Sequence, residues 1–146
     1  MVSDTRLYSH NHIKGCWEWH LEWAPKYRFN LFGKESSRRD CEAILLGIAE
    51  GIDIDVLELA VMPDHVHMIV RSGKPEHPSR LLQYLKGKSA YLLFRKHPNM
   101  RKRYPKGHLW SRGSFVRNIG VDIEVERRYV RMQGDIHQRK LTDYAT

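Results

Sequence analysis

The sequence predicts an α+β fold, a four-stranded antiparallel sheet with two helices on one face, from three observations. Some stretches alternate apolar and polar residues with period two, others carry apolar residues at helical spacing, and they run strand, helix, strand, strand, helix, strand. That order is the split β-α-β, ferredoxin-like pattern, and a further helix follows it.

From Gly15 to Trp23, residues Trp17, Trp19, Leu21 and Trp23 fall on one face of a strand and Cys16, Glu18, His20 and Glu22 on the other. The tryptophan row reads as core. Ala24-Pro25-Lys26-Tyr27-Arg28 leaves the strand with two cations and a phenol, a segment suited to phosphate contact. Ser36 or Ser37 can cap a helix in which Cys41, Ile44, Leu45 and Ile48 recur at helical spacing, with Gly51 as terminator.

Ile52 to Met62 reads as the second strand, and the Pro63-Asp64 turn returns it as a third, so the two form a hairpin. Residues 71–78 form a loop. The second helix is expected from about Ser79 to Lys96, with Leu82, Leu85, Leu92 and Leu93 inward and Lys86, Lys88, Arg95 and Lys96 largely outward, ended by His97-Pro98. Arg101-Lys102-Arg103-Tyr104 is a basic connector to a fourth strand from Gly107 to Arg117. The last helix runs from about Asp122 toward Gln133 or beyond, reaching His137 if it survives Gly134.

At 146 residues the chain suits a single domain, 1–146, able to bury a core of its own. It is 41% hydrophobic and 29% charged, the balance of a folded protein rather than a disordered one. No apolar run approaches the ~20 residues that span a bilayer, and the polar start does not resemble a signal peptide. A cytoplasmic location is expected, with Cys16 and Cys41 as free thiols. A net charge of +8 calls for an anionic partner. Cations beside aromatics, as in Lys26-Tyr27-Arg28-Phe29, favour nucleic acid over a membrane surface.

The chemistry centres on Met62-Pro63-Asp64-His65-Val66-His67. Two residues apart on a strand, His65 and His67 point the same way, toward solvent or a site, while Val66, Met68 and Val70 point into the core. Two neutral imidazoles at this spacing can share a metal ion. On the last helix Tyr129 and Gln133 lie one turn apart on one face. A tyrosine can attack phosphorus while a divalent ion polarises a non-bridging oxygen. With a pKa of ~10, deprotonating the phenol at pH 7 costs on the order of 4 kcal/mol, so a cation or base must assist. An ion held by His65, His67 and the amide oxygen of Gln133 keeps its full charge, which favours an anionic substrate. Lys88, Arg95, Arg101, Lys102, Arg103 and Arg112 join Lys26, Tyr27 and Arg28 as candidate DNA contacts.

Together with His20-Leu21-Glu22-Trp23-Ala24-Pro25-Lys26-Tyr27-Arg28, Leu109-Trp110-Ser111-Arg112 and Tyr129-Val130-Arg131-Met132-Gln133, the histidine element resembles the single-tyrosine HUH transposases of small insertion sequences, over nearly the whole chain and in the same order. The resemblance implies a ferredoxin-like (RRM-like) fold whose extra C-terminal helix carries the nucleophile. It also implies a homodimer acting on single-stranded DNA at hairpin-marked element ends, without a nucleotide cofactor. Tyr129 is then the nucleophile of a 5′-phosphotyrosine intermediate, and His65, His67 and Gln133 bind Mg²⁺ or Mn²⁺. In such a family the tyrosine helix can serve its partner's histidine pair.

Two positions depart from the pattern. Ser114 stands where related strands often carry an aromatic, and Gly134 directly after Gln133 is either a hinge or a helix end. Two other readings keep the fold: a basic nucleic-acid-binding module without catalysis, and a metal-dependent nuclease in which water replaces Tyr129.

Overall fold

The computed structural model of the chain describes residues 17–73, 77–119 and 123–145, with 137–145 as backbone only. Strands β1 (Trp17–Pro25), β2 (Asp55–Met62), β3 (His65–Ser72) and β4 (Trp110–Asn118) form one antiparallel sheet in the order β2-β3-β1-β4. Helices α1 (Glu35–Gly51) and α2 (Pro78–Lys96) cover one face, α3 (Pro98–Lys102) is a short connector, and α4 (Ile123–Ala145) lies against β2 and β3 on the other. The expected α+β architecture is present. No helix among the described residues is long and apolar enough to cross a membrane.

The period-two pattern of β1 and β3 produces the main core. Leu21, Trp23, Val66, Met68 and Val70 meet Leu45, Leu85 and Leu93 from α1 and α2, all at most 2% exposed. Burying each such leucine stabilises the fold by roughly 2 kcal/mol. A smaller cluster of Ala60, Met62, Ile69 and Ile119 closes around Val130 of α4. The second cluster explains why β3 is buried on both sides. His67 is only 3% exposed because α4 roofs its face.

Several boundaries differ from expectation for local reasons. Neither Ser36 nor Ser37 caps α1; Lys34 occupies the N-cap without a side-chain bond, and the Ser37 hydroxyl donates to Leu31 O (2.9 Å) and Lys34 O (3.1 Å). β2 begins at Asp55 rather than Ile52, because Ile52 still bonds back to the end of α1 and Asp53 has a positive φ of 59°. β4 begins at Trp110, since Gly107 at φ 77° turns the chain and donates to Tyr104 O. His77 caps α2, its imidazole accepting from Ser79 N–H at 3.2 Å. On that helix Leu81 is buried while Leu92 is exposed, and Lys86 turns inward to donate to Ser111 O at 2.8 Å. α3 replaces part of the basic connector, and α4 runs through Gly134 without ending there. Cys41 is buried and free; Gly15, Cys16 and Asp122 lie outside the described residues.

Candidate active site

β3 delivers His65 and His67 to the face beneath α4, with their Nε2 atoms 3.1 Å apart and their rings perpendicular. Each Nδ1 has its own hydrogen-bond partner. His65 Nδ1 donates to Asp64 Oδ1 at 2.8 Å. His67 Nδ1 lies 3.1 Å from His20 Nε2 and 3.4 Å from Glu22 Oε2, because the β1–β3 register sets Glu22 directly opposite His67. His20 Nδ1 in turn donates to Glu126 Oε2 at 2.8 Å, and Arg117 approaches the other oxygen of that carboxylate at 3.3 Å.

α4 brings the tyrosine. One turn after Glu126, the Tyr129 ring stands edge-on to His67 at 6.0 Å between centroids and 86° between planes, with half its surface exposed. Two sets of contacts seat the helix: fully buried Val130 in the smaller core, and the Arg127 and Arg131 guanidinium groups on Glu58 at 3.3 and 2.5 Å; at Gly134 an added Cβ would lie 3.5 Å from Ala60 Cβ. Gln133 follows Tyr129 by one turn and is half-buried.

Burial, then the neighbouring His65 and His20 imidazoles, push the His67 pKa down to about 4. It is therefore neutral at pH 7, as a metal ligand must be. Burial alone would raise Asp64, but the hydrogen bond from His65 and the nearby Arg28 charge outweigh it and hold the carboxyl below its ordinary value. Two nitrogens bound side by side on an octahedral ion at about 2.1 Å would stand about 3 Å apart, so the His65–His67 spacing fits a divalent cation. His20, Glu22 and His67 cluster beside this pair, with one donor atom of each within 4.8 Å of the others, close enough to share a cation.

The candidate DNA contacts fall into separate places. Arg28 reaches Asp64 at 3.5 Å and so borders the histidines. Lys26, Tyr27, Arg101 and Arg103 gather at another corner around buried Tyr104, whose phenol donates to Lys26 O and is pushed up to about 12, mainly by burial. Tyr27 is 66% exposed, parallel to Tyr104 at 6.3 Å, and held with Arg28 at positive φ (67° and 53°), a conformation that costs of order 1 kcal/mol per residue. Arg101 and Arg103 sit over Phe94 and Phe29. Lys102 is exposed at the end of α3, while Lys88 and Arg95 lie beside Tyr84 and Tyr91 on α2. Arg112 lines a groove of about 910 Å³ between α2 and β4, on the sheet face opposite the histidines. Ser114 belongs to that groove too and accepts from Lys86 at 2.9 Å. Its neighbour Phe115, half exposed, is the aromatic that meets His20, at 5.9 Å.

Sequence reasoning missed three of these side chains. His20 and Glu22 share the polar face of β1, and their alternation was visible; that they back His67 depends on register. Glu126, three residues before Tyr129, carried a helical-spacing signal only once α4 was known to dock here.

Residues 15–133 match the family model described as "Transposase IS200 like". The chain is 30% identical over 122 residues to the transposase for insertion sequence element IS200 of Salmonella typhimurium, covering 84% of this chain and 80% of that one. A crystal structure from Deinococcus radiodurans is similar at 28% identity and a TM-score of 0.66, covering 82% of this chain and 92% of its own. A REP-associated tyrosine transposase, solved bound to a REP hairpin, shares the fold at 13% identity and a TM-score of 0.60, with 83% and 68% covered.

Proposed function

The chain belongs to the IS200-like transposase family, a family of single-tyrosine HUH transposases, and we propose that it cuts and rejoins single-stranded DNA at insertion-sequence ends through Tyr129. The observation that carries this reading is the edge-on approach of Tyr129 to His67, which joins a nucleophile to a metal ligand across the sheet–helix boundary.

In this reading the Tyr129 oxygen attacks the scissile phosphorus as its phenolic proton departs. The P–O3′ bond breaks, the 3′-oxygen takes up a proton, and a 5′-phosphotyrosine remains on the protein. Attack by a 3′-hydroxyl in the reverse sense rejoins DNA and restores the phenol. One phosphodiester replaces another, so no nucleotide cofactor is required. His65, His67 and Gln133 would hold Mg²⁺ or Mn²⁺, which would supply Lewis-acid polarisation of a non-bridging phosphate oxygen. Exposure of half the Tyr129 ring leaves it open to a strand arriving from solvent.

The chain acts as a single domain, 1–146, and as a homodimer. The hairpin bound by the REP-associated relative supports DNA hairpins as the partner. Tyr129 beside His67 of its own sheet favours a site completed within one protomer. Lys26, Tyr27 and Arg28 are the contacts best placed to lead DNA toward it, through Arg28 beside Asp64.

The test is incubation of the protein with labelled single-stranded DNA carrying candidate element ends, with and without Mn²⁺, followed by denaturing electrophoresis. A metal-dependent protein–DNA adduct absent from Tyr129→Phe supports the proposal. Cleavage that persists in Tyr129→Phe indicates water as the nucleophile, and binding without cleavage indicates a module without catalysis.

A further inference from the structure

Resting on the metal-binding reading of His65 and His67, we propose that Glu126 and Glu22 are positioning residues: they fix the tautomer of His67, Glu126 through His20, so that His67 turns a lone pair toward the ion. The hydrogen bonds allow little choice. A carboxylate only accepts, so the His20 nitrogen facing Glu126, Nδ1, carries the proton. In neutral imidazole the other nitrogen is then an acceptor, which makes His20 Nε2 the acceptor for His67 Nδ1–H at 3.1 Å. The Glu22 carboxylate, its Oε2 3.4 Å from the same Nδ1, adds a negative charge that favours a proton there. His67 Nε2 is left bare.

The other histidine arrives at the same state from the opposite side. His65 Nδ1 donates to Asp64, so His65 Nε2 is also bare. The two Nε2 atoms thus face each other at 3.1 Å with no proton between them, an arrangement a cation satisfies and a hydrogen bond cannot.

Glu126 is well held for this role. Its side chain is only 14% exposed, its second oxygen is engaged by Arg117, and the helix that carries it is locked by Val130. It stands one turn before Tyr129 on the same face. The docking of the nucleophile helix and the readiness of His67 for metal are therefore linked through one side chain: when α4 seats, it brings both the tyrosine and the carboxylate that orders His20.

The proposal is tested on the full-length protein without DNA, by Mn²⁺ titration calorimetry and by long-range ¹⁵N–¹H correlation of the histidine rings in EDTA. In the native protein the His67 spectrum is expected to show the Nδ1–H form. The amide of Glu126→Gln can donate instead of accept, which permits the reversed chain, and Glu22→Gln removes the negative charge beside Nδ1. The double variant is expected to lose 10–100-fold in Mn²⁺ affinity and to show Nε2–H signal at His67, with its unfolding midpoint in EDTA reported alongside. Glu126→Asp, which keeps an acceptor, should preserve the native tautomer. Unchanged affinity and unchanged tautomer in the double variant overturn the inference. His65→Ala and His67→Ala separate it from the reading beneath it. Loss of Mn²⁺ binding in these two, with full binding in the double variant, defeats the inference alone; Mn²⁺ binding that survives both defeats the metal reading as well.

Discussion

Tyr129 and His67 come from elements that join only in the tertiary fold, and their rings meet edge-on at 6.0 Å. The contact separates chemistry from stability, because the tyrosine is half exposed whereas the histidine is 3% exposed. Removing the phenol oxygen leaves the packing intact. Tyr129→Phe should lower adduct formation by more than about 1,000-fold while shifting stability by under about 0.5 kcal/mol. Gel quantification and urea unfolding measure the two effects separately.

Val130 sits on the buried side of the same helix, 0% exposed among Ala60, Met62, Ile69 and Ile119. Val130→Ala deletes two methyl groups from a closed cluster and should cost about 2 kcal/mol. Because this cluster seats α4, adduct yield should fall with it, unlike in a variant of the larger core of equal cost. Denaturant unfolding compared with single-turnover cleavage makes the distinction.

Gly134 lies within α4, with room for a Cβ at ordinary contact distance from Ala60. Gly134→Ala should therefore stabilise the fold by up to about 1 kcal/mol, the helix-propensity difference between the two residues. Thermal unfolding measures it. If turnover is unchanged in this stabilised variant, the glycine is not a hinge; if turnover falls while stability rises, it serves as one.

His67 links stability to pH. Its folded pKa is about 4, whereas an unfolded histidine titrates near 6.5, so between these values the unfolded chain binds a proton that the folded chain refuses. The contribution of His67 is complete above about pH 6.5 and declines as pH falls toward 4. Urea midpoints in EDTA should follow that slope. His67→Asn should lose the component of the slope that belongs to this group.

Much of this fold is legible in the sequence. The alternation in β1 and β3 is a property of consecutive residues, so the core row Leu21, Trp23, Val66, Met68 and Val70 could be assigned to one face and His65 and His67 to the other. The helices declared themselves by spacing, and the errors fell at their ends, where single contacts decide: the Ser37 hydroxyl spent on Leu31 O, or Lys86 drawn inward by Ser111. Leu92, expected inward, is exposed and Leu81 is buried because a helical stripe leaves its edge positions to be settled by what packs alongside.

The sequence by itself determined the order of strands and helices along the chain, the paired histidines on one face, the tyrosine helix and the family resemblance, because each rests on local periodicity or on motifs of a few consecutive residues. Only the tertiary structure decided which groups stand behind those histidines. Glu22 faces His67 through strand register, His20 reaches it across 47 residues of chain, and Glu126 reaches His20 across 106. Register and helix docking are set by burial of the whole apolar surface, a sum over many distant contacts that no local spacing encodes.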